Sequence, residues 1–184
     1  MGKIRKVPPV KLISGIITGD ENNFDIVCEV LSKKFGAIDY KSPIYDFNLT
    51  NYYQKEMGPE PKRQFLSFSE LIAHTKLAKI KLFTNKLEKR YSPPEVDPPS
   101  AEKNGKRLIN IDPGYITASK LVLATTKDYY HRIYLDKGIF AEVTLYFKSG
   151  SFQSFEWTFP DYKTKGYIET FNHIREIYMR QIKS

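Results

Sequence analysis

The pattern of hydrophobic and polar residues in the first half of the chain predicts alternating strands and helices. Val10–Thr18 is an almost unbroken apolar run, which is typical of a strand buried on both faces. Over Asp20–Phe35, apolar residues recur at helical spacing, acidic residues occupy the first turn and Gly36 follows, so we expect a helix. Helical spacing also predicts a helix over Thr75–Tyr91, where a strand through Ile80–Thr84 is the alternative.

Further extended segments are expected between and after these helices. Ala37–Asn48 is interpreted as extended, with Pro43 marking a sheet edge or a break, and Lys62–Ser69 as a strand. With another strand over Arg107–Ile111, the first six elements run strand, helix, strand, strand, helix, strand. That order is compatible with a ferredoxin-like half.

The second half begins with a turn signal. Asp112–Gly114 reads Asp-Pro-Gly and predicts a turn, and Thr117 is interpreted as the cap of a helix that ends near Thr126. A hairpin follows this helix. A strand through Trp157 and a final helix, whose apolar face runs over Ile168–Tyr178, then complete the chain.

The hairpin is predicted over Tyr130–Phe147. Its apolar and polar residues alternate on both sides of a three-residue loop in which Gly138 takes the left-handed position. The register that follows pairs Leu135 with Ile139, Ile133 with Ala141, Arg132 with Glu142 and His131 with Val143.

This mixed order of helices and hairpins predicts an α+β fold rather than a doubly wound parallel sheet. We expect a single domain over residues 8–182, with a mixed or mainly antiparallel sheet and helices packed on it. In this interpretation a ferredoxin-like half is followed by a β-meander and a C-terminal helix. The polar, proline-rich segment Ser92–Gly105 is expected to be a mobile loop.

Composition narrows the function only modestly. The 184 residues carry a net charge of +8, which favours anionic partners or solubility. The one cysteine, Cys28, lies on the apolar stripe of the first predicted helix and allows neither an intramolecular disulfide nor a cysteine metal cluster. No apolar run approaches the ~20 residues of a membrane span, and Lys11 interrupts the first one, so we expect a cytoplasmic protein without a membrane partner.

Common phosphate and metal motifs are absent from the sequence. Neither Gly-x4-Gly-Lys-Ser/Thr nor Gly-x-Gly-x-x-Gly occurs, so the chain has no Walker A loop and no dinucleotide fingerprint. The three histidines, His74, His131 and His173, have no metal-ligand spacing, and we assign no metal site.

The densest mix of chemically capable side chains lies within Asn110–Phe147. We select His131, Asp112 and Glu142 as candidate catalytic residues, because imidazole and carboxylate groups carry acid–base chemistry. Each also has a structural alternative. The histidine is then a hydrogen-bonded structural residue, the aspartate forms a turn, and the glutamate pairs with Arg132 across the hairpin.

A ligand-binding set is proposed from the neighbouring basic and aromatic residues. Lys120 and Lys127 lie about two turns apart on the predicted helix, so they would share a face near His131 and surround one anion. A solvated basic face is the alternative. A tyrosine pair earlier in the chain would either stack on a base or sugar or cover the core. The candidate ligand-binding residues are Lys120, Lys127, Arg132, Tyr52 and Tyr53.

These residues favour binding of an anionic phosphorylated small molecule or nucleotide, and they would also suit its turnover. A non-enzymatic protein-interaction module is one alternative, which predicts no deep cavity and an exposed apolar patch. An RNA-binding module that uses the basic residues of Lys76–Arg90 is the other. The sequence identifies neither a cofactor nor an oligomeric state.

Several phrases of the sequence resemble a known family. They are Tyr52-Tyr53 with Glu56-Met57-Gly58, Lys62-Arg63 with Phe65–Phe68, Lys81–Asn85, Asp112–Tyr115, Ser119–Ala124, His131–Leu135, Ala141–Thr144 and Trp157–Tyr162. Over nearly its whole length the chain resembles the bacterial family called domain of unknown function 4416. The resemblance implies one cytoplasmic domain and adds no catalytic residue. Members are sometimes labelled GTP-binding, and Asn85–Glu88, a faint likeness to a guanine-reading box, is the only trace of that label here.

Overall fold

A computed structural model describes residues 2, 3, 6–49, 57, 60–92 and 107–183. Its strands are β1 Val10–Thr18, β2 Ile38–Lys41, β3 Tyr45–Asp46, β4 Lys62–Ile72, β5 Ile109–Ile116, β6 Lys120–Thr125, β7 Ile133–Asp136, β8 Ile139–Lys148 and β9 Ser151–Ser154. Its helices are α1 Asn22–Phe35, α2 Leu77–Tyr91 and α3 Lys165–Gln181, with short 3-10 turns at His74–Lys76 and Pro160–Lys163. The predicted loop Ser92–Gly105 lies outside the described residues, apart from Ser92.

The strands form one antiparallel sheet in the order β2-β4-β1-β5-β6-β8-β7, with β3 added to β4 and β9 added to β8. Helix α1 connects β1 to β2, and α2 connects β4 to β5, so that β4 and β1 are each inserted between strands joined by a helix. This is the split β-α-β arrangement of a ferredoxin-like half. The α+β prediction and its ferredoxin-like half are therefore confirmed.

Helices cover both faces of the sheet. On one face α1 and α2 bury an apolar stripe, in which Val27 and Leu31 share a cluster with Phe68 of β4. On the opposite face α3 packs Phe171 against Phe65, with ring centroids 4.8 Å apart. None of the helices within the described ranges is long and apolar enough to cross a membrane.

The turn predicted at Asp112–Gly114 is wrong, because β5 continues through it. Gly114 is required for another reason: a Cβ there would lie 2.4 Å from the Val122 carbonyl oxygen of β6. Pro113 is tolerated because its nitrogen points to the same side as the Ile111 amide, toward a stretch where β6 is not paired with β5. The missing N–H therefore removes no ladder hydrogen bond.

The helix predicted from Thr117 to Thr126 is also wrong, because β6 occupies this segment. Its side chains alternate between two cores: Leu121 and Leu123 pack under α3, while Val122 packs in the cluster that includes residues of α2. A strand buried on both faces has a nearly continuous apolar sequence, so it lacks the alternation of apolar and polar residues by which a strand is usually recognised.

The predicted hairpin is confirmed, with a different turn. Ile133 pairs with Ala141 as expected, but Asp136 rather than Leu135 pairs with Ile139, after an irregularity in the ladder. Lys137 and Gly138 have φ angles of 51° and 75°, which makes a two-residue loop with both residues in the left-handed region. The strand after the hairpin, β9, ends at Ser154 rather than at Trp157.

Replacing Gly114 by alanine is expected to destabilise the protein by about 1–3 kcal/mol, because the new methyl group would clash with the β6 backbone. Urea denaturation of the Gly114→Ala variant measures the change. Gly2→Ala is the matched control, since its added methyl group would meet no atom within 4 Å. Equal stability of the two variants would contradict the close approach of β5 and β6.

Candidate functional site

β5 and β6 separate part of the way along the sheet. Their ladder joins only Gly114–Ile116 to Leu121–Leu123, although β5 begins at Ile109 and β6 continues to Thr125. The first five residues of β5 therefore have no ladder partner on the β6 side in the described part of the chain.

Two side chains of α2 occupy the place of the missing strand. Lys81 Nζ donates to the Ile111 carbonyl at 2.9 Å, and the Ile111 N–H donates to Glu88 Oε1 at 2.8 Å. Both side chains are buried, and burial raises the pKa of Glu88 despite the nearby lysine. A cation and a carboxylate thus satisfy backbone groups that would otherwise lack partners.

Asp112 organises the cations beside this gap. Its carboxylate accepts hydrogen bonds from Lys81 Nζ at 3.3 Å, Arg63 Nη2 at 3.4 Å and Asn110 Nδ2 at 2.7 Å. Burial alone would raise the pKa of Asp112, but the positive charges of Lys81 and Arg63 outweigh it and hold that pKa below its ordinary value. Arg63 also donates to Asp161 Oδ2 at 2.7 Å, which links β4 to the 3-10 turn before α3.

A second ion cluster forms around Glu142 of β8. Its Oε2 accepts a hydrogen bond from Arg132 Nε at 2.8 Å and lies 3.2 Å from His131 Nε2, while Thr144 Oγ1 donates to its Oε1 at 3.2 Å. The predicted pairing of His131 with Val143 is wrong, because β7 begins only at Ile133. Consecutive residues outside a strand need not point to opposite faces, so His131 and Arg132 reach the same carboxylate.

A cavity of about 540 Å³ lies at the gap between β5 and β6, with the 3-10 turn before α3 on its wall. Its basic lining residues are Arg63, Lys81, Arg107, Lys127 and Arg132. Its acidic lining residues are Glu88, Asp112, Glu142 and Asp161. Each of these acids makes an ion pair with at least one of the basic residues.

A smaller cavity of about 390 Å³ adjoins the first one. It shares Lys127, Arg132 and Phe159 with the larger cavity and is otherwise bounded by Asp128 and by aromatic side chains. These are Tyr129, Tyr130, His131 and Trp157. The two cavities are therefore neighbours, with an arginine and a lysine in both walls.

The structure brings most of the predicted site residues together. Four line the larger cavity: Asp112, Lys127, Arg132 and Glu142. His131 lines the smaller cavity and contacts Glu142. Lys120 lies apart, exposed at the far end of β6 opposite Tyr146, because the helix that was expected to align it with Lys127 is a strand. Tyr52 and Tyr53 lie outside the described residues.

Other residues of the site were missed from the sequence: Arg63, Lys81, Glu88 and Asp161. Lys81 and Glu88 were noted only within the family phrase Lys81–Asn85 and the guanine-box likeness Asn85–Glu88, yet they lie with Thr84 in a buried polar row beside the apolar stripe of α2. Their spacing of three and four residues was the available signal. Arg63, a charge inside a strand buried on both faces, was another.

The described residues contain no group of three or more histidine, cysteine, aspartate or glutamate side chains placed to hold a metal ion. The side chains at the cavity instead form ion pairs of opposite charge. What this arrangement offers chemically is a set of cations held in fixed positions around a hollow.

Asp112→Asn is expected to destabilise the protein in a pH-dependent way. Because the folded pKa of Asp112 lies below the unfolded value of ~3.9, its ionised form stabilises the fold above that value. This contribution is lost as the pH falls through the folded pKa. The difference in free energy of unfolding between wild type and variant should therefore be constant above about pH 5 and shrink below about pH 4. Urea denaturation across that range measures it, and a difference that grows toward acid pH would contradict the ion network.

Comparisons with known proteins identify a family and nothing closer. The family model described as Domain of unknown function (DUF4416) matches residues 8–178. No curated protein matches the chain. No solved structure matches it either.

Proposed function

The chain belongs to the DUF4416 family, a domain of unknown function, and from the geometry of its cavity we propose that it binds an anionic phosphorylated small molecule or nucleotide. The observation that carries the proposal is the pairing of charges at the larger cavity. Its acids are all engaged by cations, so a bound anion would face no unpaired carboxylate among the described residues that line this cavity. Five basic residues against four acids leave a positive excess at this wall.

The fixed positions of these cations also support the proposal. Arg132 is held between Glu142 and the Lys127 carbonyl, to which its Nη1 donates at 3.0 Å. A guanidinium that is already oriented loses little conformational entropy when it binds a phosphate or carboxylate group. Lys127 is exposed at the junction of the two cavities, where an entering anion would meet it.

We also propose that the protein turns the ligand over. In that reaction His131, rather than Asp112, would transfer the proton. His131 is oriented by Glu142, a glutamate–histidine pair of the kind that serves in acid–base catalysis. Asp112 stays ionised because its pKa is lowered, and both of its oxygens are held by Arg63, Lys81 and Asn110. It therefore acts as a positioning residue for the two cations.

A panel of inorganic phosphate, ribose 5-phosphate and nucleoside monophosphates tests the proposal by thermal shift, followed by isothermal titration calorimetry. Lys127→Ala is expected to weaken binding of any phosphate ester that binds wild type by about ten-fold or more, because a charge-assisted hydrogen bond contributes ~1.5–3 kcal/mol. Binding should also weaken as salt is added.

Lys120→Ala is the matched control, because it removes an exposed lysine at the other end of β6. It is expected to bind the panel as wild type does. The proposal fails if no member of the panel raises the melting temperature, or if the two lysine variants lose affinity equally.

A protein-interaction module is the second candidate, favoured by the edge strand β7. All four of its residues are exposed, including Ile133 at 70% and Tyr134 at 58%, and β7 is the last strand of the sheet. An exposed apolar edge strand is a template for pairing with another chain.

The RNA-binding alternative stays a prediction. Its basic residues on and before α2 are exposed, namely Lys76, Lys79, Lys86, Lys89 and Arg90.

A further inference from the structure

Three aromatic rings border the smaller cavity with much of their surface in solvent. Tyr129 is 60% exposed, Tyr130 is 73% exposed and Phe159 is 45% exposed. Large aromatic side chains bury the most apolar area of any residue, so three exposed rings around one hollow form an unsatisfied apolar surface. A flat apolar guest would cover it.

The back of this cavity is a stacked aromatic wall that is already complete. His131 stacks on Trp157 at 5.3 Å with an interplanar angle of 16°, and Phe155 stacks with the same indole at 4.6 Å and 6°. Trp157 Nε1 donates to the Val143 carbonyl at 3.1 Å, which fixes the indole to β8. Since other rings already stack on this indole, the rings available to a ligand are the exposed ones at the rim.

A polar atom at this wall also lacks a partner. His131 donates to the Glu142 carboxylate through Nε2, but its buried Nδ1 has no hydrogen-bond partner among the described residues. Tyr129 and Tyr130 meet the imidazole at near-perpendicular angles, with centroids 5.4 and 5.0 Å from it. Because this nitrogen is buried, a ligand in the cavity would meet the surrounding rings rather than the nitrogen itself.

The position of this cavity relative to the charged one defines the order of groups along the ligand. Lys127 and Arg132 line both hollows, and Phe159 forms part of both walls. An anionic group held by the two cations would therefore leave the neighbouring part of the same molecule beside the exposed rings.

We infer that the smaller cavity binds a planar heteroaromatic ring between Phe159 and the Tyr129–Tyr130 pair, so that the ligand is a nucleotide rather than a sugar phosphate. This inference rests on the proposed function and specifies the ligand class of the same site. Stacking on aromatic side chains tolerates every base, so the ring class rather than one particular base is recognised.

Isothermal titration calorimetry with ribose 5-phosphate and with the four nucleoside monophosphates tests the inference directly. Wild type is expected to bind the nucleotides at least about ten-fold more tightly than ribose 5-phosphate, in line with the roughly 5- to 150-fold contributed by one stacked base. Tyr130→Ala is expected to reduce this preference toward one. Quenching of the single tryptophan, Trp157, by nucleotide but not by ribose 5-phosphate gives a second readout.

Tyr134→Ala is the matched control, since this exposed tyrosine lies on β7 and lines neither cavity. It should keep the full preference for nucleotides. Equal binding of ribose 5-phosphate and nucleotides, or an unchanged preference in Tyr130→Ala, would overturn the inference while leaving the proposed function intact. Failure of every phosphate ester to bind would overturn both.

Discussion

The candidate site depends on the point at which β6 leaves β5. On the N-terminal side of Gly114 the two strands are no longer paired, and the Ile111 N–H and carbonyl groups find their partners in Glu88 and Lys81 of α2 instead. Backbone groups in a protein interior require partners, and α2 supplies them here with a buried lysine and a buried glutamate. That requirement brings cations and carboxylates to one place and leaves a cavity where a strand would otherwise lie.

Stability of the fold alone does not account for a buried network of ion pairs. Buried ion pairs often contribute no more than well-packed apolar residues of similar volume, because desolvation offsets their attraction. Here Arg63, Asp112 and Asp161 form a continuous network at the wall of a cavity rather than inside a packed core. We interpret this network as the means of holding cations in position for a guest, which joins the fold directly to the proposed binding function.

The most reliably predicted parts of the fold are those in which one face is apolar and the other polar, such as helix α1 and the β7–β8 hairpin. Strands buried on both faces lack this pattern. The unbroken apolar run of β1 still predicted a strand, but the similar sequence of β6 predicted a helix. That error also joined Lys120 to the site, from which the strand geometry removes it. Lys81 was missed because a lysine on a helix is ordinarily solvated, and only the separation of β5 from β6, a tertiary feature, explains its burial.

The central claim is that the gap between β5 and β6 is the binding site, and amide chemical shifts test it most directly. A ¹H–¹⁵N titration with a nucleoside monophosphate should shift the amides of Ile111, Lys127 and Arg132 in a saturable way, because these residues surround the gap. Shifts confined to the exposed basic surface of α2, around Lys86 and Lys89, or no saturable shifts at all, would contradict it.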